Sequence, residues 1–306
     1  MKKKTATALI IFIIVIFVGY IVFDIALNDE KNKPGNSVQT ESGIPDQWFV
    51  SNIFEPGEGK LKAVTASASG TLYIAGESFI TCYDADFKTK WSLKTEKPVV
   101  ALAVWGDSVF AATIETILVL NSSGEFKQEW GPFEENAIIT SVTSNRTFVA
   151  FSDAGNKIIM VLDKKGDVRS MIGQSGEAFI IPSPYFDVAL DNNNTLFAAN
   201  TGQRRVEKRT TEGKLLSYFG EPGLAPGAFC GCCNPAHFAL IPGGFVTAEK
   251  GINRIKILDE KGGFVEFVSS ENDFVPSIPV DVASADGKII YAANPADSKL
   301  YIFKRR

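Results

Sequence analysis

Three stretches of the chain carry one pattern in different residues: Asp187-Val188-Ala189-Leu190-Asp191-Asn192-Asn193-Asn194-Thr195-Leu196-Phe197-Ala198-Ala199, Asp281-Val282-Ala283-Ser284-Ala285-Asp286-Gly287-Lys288-Ile289-Ile290-Tyr291-Ala292-Ala293, and Ala63-Val64-Thr65-Ala66-Ser67-Ala68-Ser69-Gly70-Thr71-Leu72-Tyr73-Ile74-Ala75. Each reads as a strand, a polar turn and a second strand. Related starts near Ala101, Ser141 and Phe238 bring the units to six. Their period of about 40 to 50 residues is that of a propeller-type repeat.

A third strand follows each inner hairpin, as in Gly155-Asn156-Lys157-Ile158-Ile159-Met160-Val161-Leu162 and Gly251-Ile252-Asn253-Arg254-Ile255-Lys256-Ile257-Leu258. A fourth, outer strand is visible in Lys214-Leu215-Leu216-Ser217-Tyr218-Phe219 and Gly263-Phe264-Val265-Glu266-Phe267-Val268. Four short antiparallel strands per unit, six times over, predict an all-β fold, a six-bladed β-propeller, since radial packing leaves only short protected edges. The last unit ends at Phe303 with three strands, and Trp48-Phe49-Val50-Ser51-Asn52-Ile53-Phe54 matches an outer strand. The N-terminal strand is therefore expected to complete blade six.

Ala199-Asn200-Thr201-Gly202-Gln203-Arg204-Arg205-Val206, with Gly220-Glu221-Pro222-Gly223 leading to Gly227-Ala228-Phe229 and Pro235, resembles NHL repeats. The resemblance covers most of residues 47–306. It is good in repeats three to five and degenerate in one, two and six, which lack the Gly-Asn-x-Arg turn. NHL propellers serve as binding platforms and occasionally as enzymes, so the resemblance implies fold firmly and function weakly.

The chain's 31 basic and 35 acidic residues leave a net charge of −4, with no basic stripe to hold nucleic acid. Lys2, Lys3 and Lys4 precede an apolar run from Ala8 to Phe23 that continues to Leu27, about one bilayer span. Positive charge before the span, with Asp24, Asp29 and Glu30 at and after its end, predicts a cytoplasmic N-terminus and an extracytoplasmic remainder. The run ends in Tyr20, Ile21, Val22, Phe23 and Asp24, without a small-residue cleavage pattern, so an uncleaved signal anchor is expected over a signal peptide. The expected organisation is a cytoplasmic tail at 1–7, a transmembrane anchor at 8–27, a flexible linker at 28–44 and the propeller at 45–306.

Cys230-Gly231-Cys232-Cys233-Asn234-Pro235-Ala236-His237 packs three of the four cysteines and the single histidine into the connection between blades four and five. An NHL-like connection places about two residues between its Phe and Pro, so Phe229 to Pro235 reads as a short insertion. Alternation of strands puts this connection on the same face as the loops between second and third strands, around the mouth of the central channel. Glu249, Lys250, Arg254 and Arg205 lie in those loops and are the expected binding neighbours. Three readings of Cys230, Cys232, Cys233 and His237 stand open: a disulfide or rigidified loop, a metal site whose soft ligands suit Zn²⁺ or Cu(I), and a redox thiol. Cys82, in the third strand of blade one, is expected in the core. One histidine excludes a multi-histidine zinc site, and no nucleophile elbow or phosphate loop is present. Asp153, Asn200, Glu249 and Asn294 occupy matching positions and would need to converge in the channel for calcium-centred hydrolysis. The expected function is that of an extracytoplasmic binding or interaction module at the membrane, with an envelope protein or a small ligand as partner.

Overall fold

The computed structural model describes residues 43–57, 59–174 and 179–306. The expected tail, anchor and most of the linker lie outside the described residues. Among the described residues no helix is long and apolar enough to cross a membrane.

The six expected units are six four-stranded antiparallel sheets. After the opening strand β1 (Trp48–Phe54), blade one holds β2 (Leu61–Ala66), β3 (Leu72–Gly76), β4 (Phe79–Tyr83) and β5 (Thr89–Lys94). Blade two holds β6 (Ala101–Trp105), β7 (Ser108–Ala112), β8 (Ile117–Asn121) and β9 (Phe126–Trp130). Blade three holds β10 (Ile139–Ser144), β11 (Phe148–Asp153), β12 (Ile158–Asp163) and β13 (Val168–Ile172). Blade four holds β14 (Val188–Leu190), β15 (Leu196–Asn200), β16 (Arg205–Arg209) and β17 (Leu215–Phe219). Blade five holds β18 (His237–Ile241), β19 (Gly244–Ala248), β20 (Ile255–Asp259) and β21 (Phe264–Ser269). Blade six holds β22 (Asp281–Ala283), β23 (Ile289–Asn294) and β24 (Lys299–Arg305), and β1 completes it by pairing antiparallel with β24.

Burial explains why the patterning changes across a blade. The second strands, such as β3 and β15, are buried on both faces because a blade has a neighbour on each side, and they read as unbroken apolar runs. The outer strands β9 and β17 meet solvent and alternate or turn polar.

Large residues on the outer strands lock neighbouring blades. A Cβ added to Gly124, Gly166, Gly213 or Gly262 would meet the side chain of Trp91, Trp130, Ile172 or Phe219 respectively, each from the preceding blade, at 3.0 Å or less. These glycines end the turn between third and fourth strands with positive φ, so the position demands glycine both for conformation and for space. At the closure, Phe54 at the end of β1 meets Phe87 in the corresponding turn of blade one, ring centres 5.5 Å apart, while Trp48 faces blade five: it is 2% exposed and its Nε1 donates to Glu266 Oε1 at 2.9 Å. Arg305 pairs with the other oxygen of Glu266 at 3.0 Å.

Closure through β1 predicts that Trp48→Ala destabilises the propeller by about 3–5 kcal/mol, the usual cost of emptying a buried aromatic site. Val50→Ala, on the same strand but exposed, should cost within about 0.5 kcal/mol. Urea denaturation of both variants checks this; equal effects would contradict a closure that depends on Trp48.

Candidate functional site

The inner strands line a channel of about 190 Å³. At its mouth, one position per blade is defined by strand pairing: Ala63 opposite Ala75, Ala101 opposite Ala112, Ser141 opposite Ser152, His237 opposite Ala248 and Asp281 opposite Ala293. Asp187 fills it in blade four, where its carbonyl accepts from the Ala199 N–H at 2.9 Å. These positions are methyl in blades one and two, where Ala63 is fully buried, and polar in the other four.

The polar members bind across blades. An innermost strand has a free edge toward the channel, and its N–H groups need acceptors. Asp187 Oδ2 accepts from the Phe238 N–H of the next blade at 2.7 Å, and Asp281 Oδ2 accepts from the Val64 N–H at 2.9 Å. Ser141 Oγ takes the same role toward the Val188 N–H at 3.3 Å while donating to Asp187 Oδ1. His237 lies between the two acids, its Nδ1 3.8 Å from Asp187 Oδ2 and 3.6 Å from Asp281 Oδ1. Side chains of His237 and Asp281 keep 21% and 20% of their exposure, so both are reachable from the channel. Burial raises both carboxyls above their ordinary range, against the pull of His237; Asp281, also repelled by Asp187, reaches about 6.

Two interblade connections build the rim above this ring. The same number of residues separates Ile180 from Asp187 as separates Cys230 from His237. The cysteine loop is thus long against an NHL-like connection but matches its neighbour in this chain. The two loops touch: Ser183 Oγ donates to Cys233 Sγ at 2.8 Å, and the Tyr185 ring meets the His237 ring edge-on at 6.3 Å. Lys250 Nζ lies 4.5 Å from the centre of the Tyr185 ring.

Buried Asn234 holds the cysteine loop in shape. Its Nδ2 donates to the carbonyls of Cys230 at 2.5 Å and Lys250 at 2.9 Å, and its Oδ1 accepts from the Lys250 N–H at 2.9 Å. Behind it, the Glu249 carboxylate accepts from the Cys230 N–H at 3.2 Å, from Arg254 Nε at 3.0 Å and from Lys256 Nζ at 3.0 Å. Arg254 then reaches the carbonyls of Leu224 and Ala228 at 2.8 and 2.9 Å, and Lys256 reaches that of Ala228 at 2.6 Å. Burial pulls Lys256 down to about 8. Gly220 belongs to the same scaffold: it has positive φ, and the ring of fully buried Phe229 lies where its Cβ would be.

Of the expected binding neighbours, Lys250 faces the rim, whereas Glu249 and Arg254 are buried in the support of the loop. Arg205 stacks on Tyr218 at 4.3 Å and pairs with fully buried Glu207 at 2.6 Å. Burial pushes the Glu207 carboxyl up, but bonds from Asn200, Arg205 and Arg209 outweigh it and hold it low. The matched residues Asp153, Asn200, Glu249 and Asn294 do not converge on a common centre. Asp153 accepts from the Ile138 N–H at 2.8 Å, Asn200 from the Ile180 N–H at 3.0 Å and Glu249 from the Cys230 N–H, so each clamps the connection entering its own blade. Asn294 accepts from the Ala296 N–H within its own turn.

No disulfide joins the four cysteines in the structure, and Cys82 is in the core as expected. Cys232 and Cys233 bring their sulfurs to 3.2 Å, with Cys232 exposed and Cys233 buried. Burial raises the Cys233 thiol, and burial together with the Glu249 carboxylate raises Cys230. Among the described residues no three His, Cys, Asp or Glu side chains gather as a metal-holding group. His237 turns to the channel acids, and the approaching sulfurs of Cys232 and Cys233 lie at the rim. The acids themselves were missed in the sequence, although Asp187 and Asp281 open two of the aligned repeats; counting the blade-five repeat from His237 instead of Phe238 places all six ring residues in one column.

No protein-family model matches the chain, and no curated protein matches it in sequence. Solved structures do match in shape. A streptogramin B lyase structure has a TM-score of 0.56 at 13% identity, covering 85% of this chain and 98% of its own. Virginiamycin B lyase from Staphylococcus aureus has a TM-score of 0.56 at 16% identity, covering 85% and 100%. A Bacteroides thetaiotaomicron protein of unknown function has a TM-score of 0.62 at 14% identity, covering 83% and 72%. At these identities the likeness is one of fold. The chain is a six-bladed β-propeller.

The buried acids make stability depend on pH in a defined direction. Folded Asp281 takes up its proton near pH 6, whereas the unfolded carboxyl does so near its ordinary value of about 3.9. Its contribution is therefore present at low pH and lost as pH rises through about 6. Asp281→Asn should remove that dependence, so that wild type melts progressively lower relative to the variant from about pH 4 to about pH 7, with no further change above. A pH-independent difference in melting temperature would contradict the placement of Asp281.

Proposed function

We propose that this propeller is a membrane-tethered, extracytoplasmic binding module that takes one end of its ligand into the channel mouth between Asp187, His237 and Asp281. The observation that carries the reading is the uneven ring: two positions are methyl, four are polar, and His237 and Asp281 remain reachable. A cavity of about 190 Å³ is smaller than the roughly 300–1,000 Å³ that encloses a drug-sized molecule. It suits a terminal group or one side chain, preferably a hydrogen-bond donor or amine, with the rest of the ligand lying on the rim at Tyr185 and Lys250.

The tether rests on Lys2 to Lys4 and the apolar run from Ala8 to Leu27. An NHL-type ancestry of the blades agrees with the 3₁₀ turn at Thr201–Gln203, followed by Arg204 in left-handed conformation, and with the seating of Phe229 on Gly220. The lyases that share the fold lend no reaction to this chain at their level of identity.

Photocrosslinking of the full chain in its native envelope tests the binding face. p-Benzoylphenylalanine at Tyr185 should give a discrete adduct that disappears with Asp281→Asn, whereas the same group at Ser123, on the opposite face, should give none. Equal adducts from both positions, or adducts at Tyr185 that ignore Asp281→Asn, would refute a channel-mouth site.

A further inference from the structure

We propose that Cys232 and Cys233 form a thiol–disulfide exchange site at the rim, with Cys232 as the attacking thiol and Cys233 as the resolving one. This activity goes beyond ligand binding at the ring and does not depend on it. The two sulfurs are 3.2 Å apart, within direct reach of each other. Their surroundings differ in the sense that exchange requires. Cys232 is exposed and open to an incoming disulfide. Cys233 is 2% exposed, so a substrate meets Cys232 first. Ser183 Oγ donates to the Cys233 sulfur at 2.8 Å, which offers the buried sulfur a partner when it loses its proton.

The loop around the pair is fixed on both sides. Asn234, next in sequence to Cys233, is bonded to the backbone of Cys230 and Lys250. Cys230 is held by its own N–H on Glu249 and is less exposed than Cys232, so Cys232 is the thiol that an incoming disulfide meets. A bridge between adjacent residues is also unsuited to permanent stapling. Neighbouring Cα atoms are about 3.8 Å apart across a trans peptide, below the usual disulfide range of about 4.4–6.8 Å, so the oxidised pair is readily reduced. That property belongs to a site that cycles.

The chemistry balances without a cofactor. Cys232, losing its proton to solvent, attacks one sulfur of a disulfide R–S–S–R; the R–S–S–R bond breaks, the Cys232–S–S–R bond forms and one RS⁻ leaves. Cys233, losing its proton to solvent, then attacks the Cys232 sulfur; the Cys232–Cys233 bond forms and the second RS⁻ leaves. The substrate disulfide is reduced by two electrons and the pair is oxidised by two. A dithiol or thiol reductant reverses the second state.

The test uses the full chain, reduced and freed of reductant, with 5,5′-dithiobis(2-nitrobenzoate) as the disulfide and oxidised glutathione as a second probe. Wild type should release two thionitrobenzoates per chain and retain none, and peptide mapping should show a Cys232–Cys233 crosslink. Cys233→Ser should release one and keep the other as an adduct on Cys232, Cys232→Ser should lose the rapid phase, and Cys230→Ser should behave as wild type. Adducts retained on wild-type Cys232, or a crosslink that uses Cys230, would overturn the proposal. The wild-type crosslink decides the matter even if a variant folds poorly.

Discussion

The Glu249 carboxylate governs the functional face. It is buried with two cations, Arg254 and Lys256, and with one backbone N–H, that of Cys230. Two positive charges against one negative charge inside a protein would be costly alone. The surplus is met by the carbonyls of Leu224 and Ala228, which Arg254 and Lys256 draw inward. The interblade connection is therefore part of the charge balance of blade five. Its course fixes where Cys232 and Cys233 emerge and where the chain re-enters the ring at His237.

The same logic recurs with weaker chemistry in other blades. Asp153 and Asn200 each accept an N–H from the incoming connection, as Glu249 does. Asp187 and Asp281, one strand further in, accept N–H groups from the next blade's inner strand. Acidic and amide side chains in this propeller thus satisfy the backbone wherever strands end or edges are left open. What distinguishes Asp281 and His237 from these clamps is that part of each side chain still faces the channel.

The fold was legible because its signals are periodic. Apolar alternation, turn glycines and the Trp48–Phe54 match to an outer strand all follow from local residues, and the sheets place them as expected. Strand alternation alone assigns the interblade connections to one face. The site's membership was not legible. Glu249 and Arg254 look like loop charges in the sequence, yet reach across to Ala228 and Cys230, contacts between different repeats. His237 follows three cysteines closely, but its place as the first residue of β18 aims it at Asp187 and Asp281. Partners for a side chain at the ring come from neighbouring blades, about one repeat away in sequence, and a short motif cannot show them.

The channel mouth is defined by His237 lying with Asp187 and Asp281. As the single histidine of the chain, it gives one set of imidazole ring-proton resonances, which nuclear magnetic resonance can follow without assignment of the rest. Asp281→Asn should move those resonances, and Cys232→Ser should leave them in place. A histidine signal that responds to Cys232→Ser and ignores Asp281→Asn would return His237 to the cysteine cluster and contradict the site described.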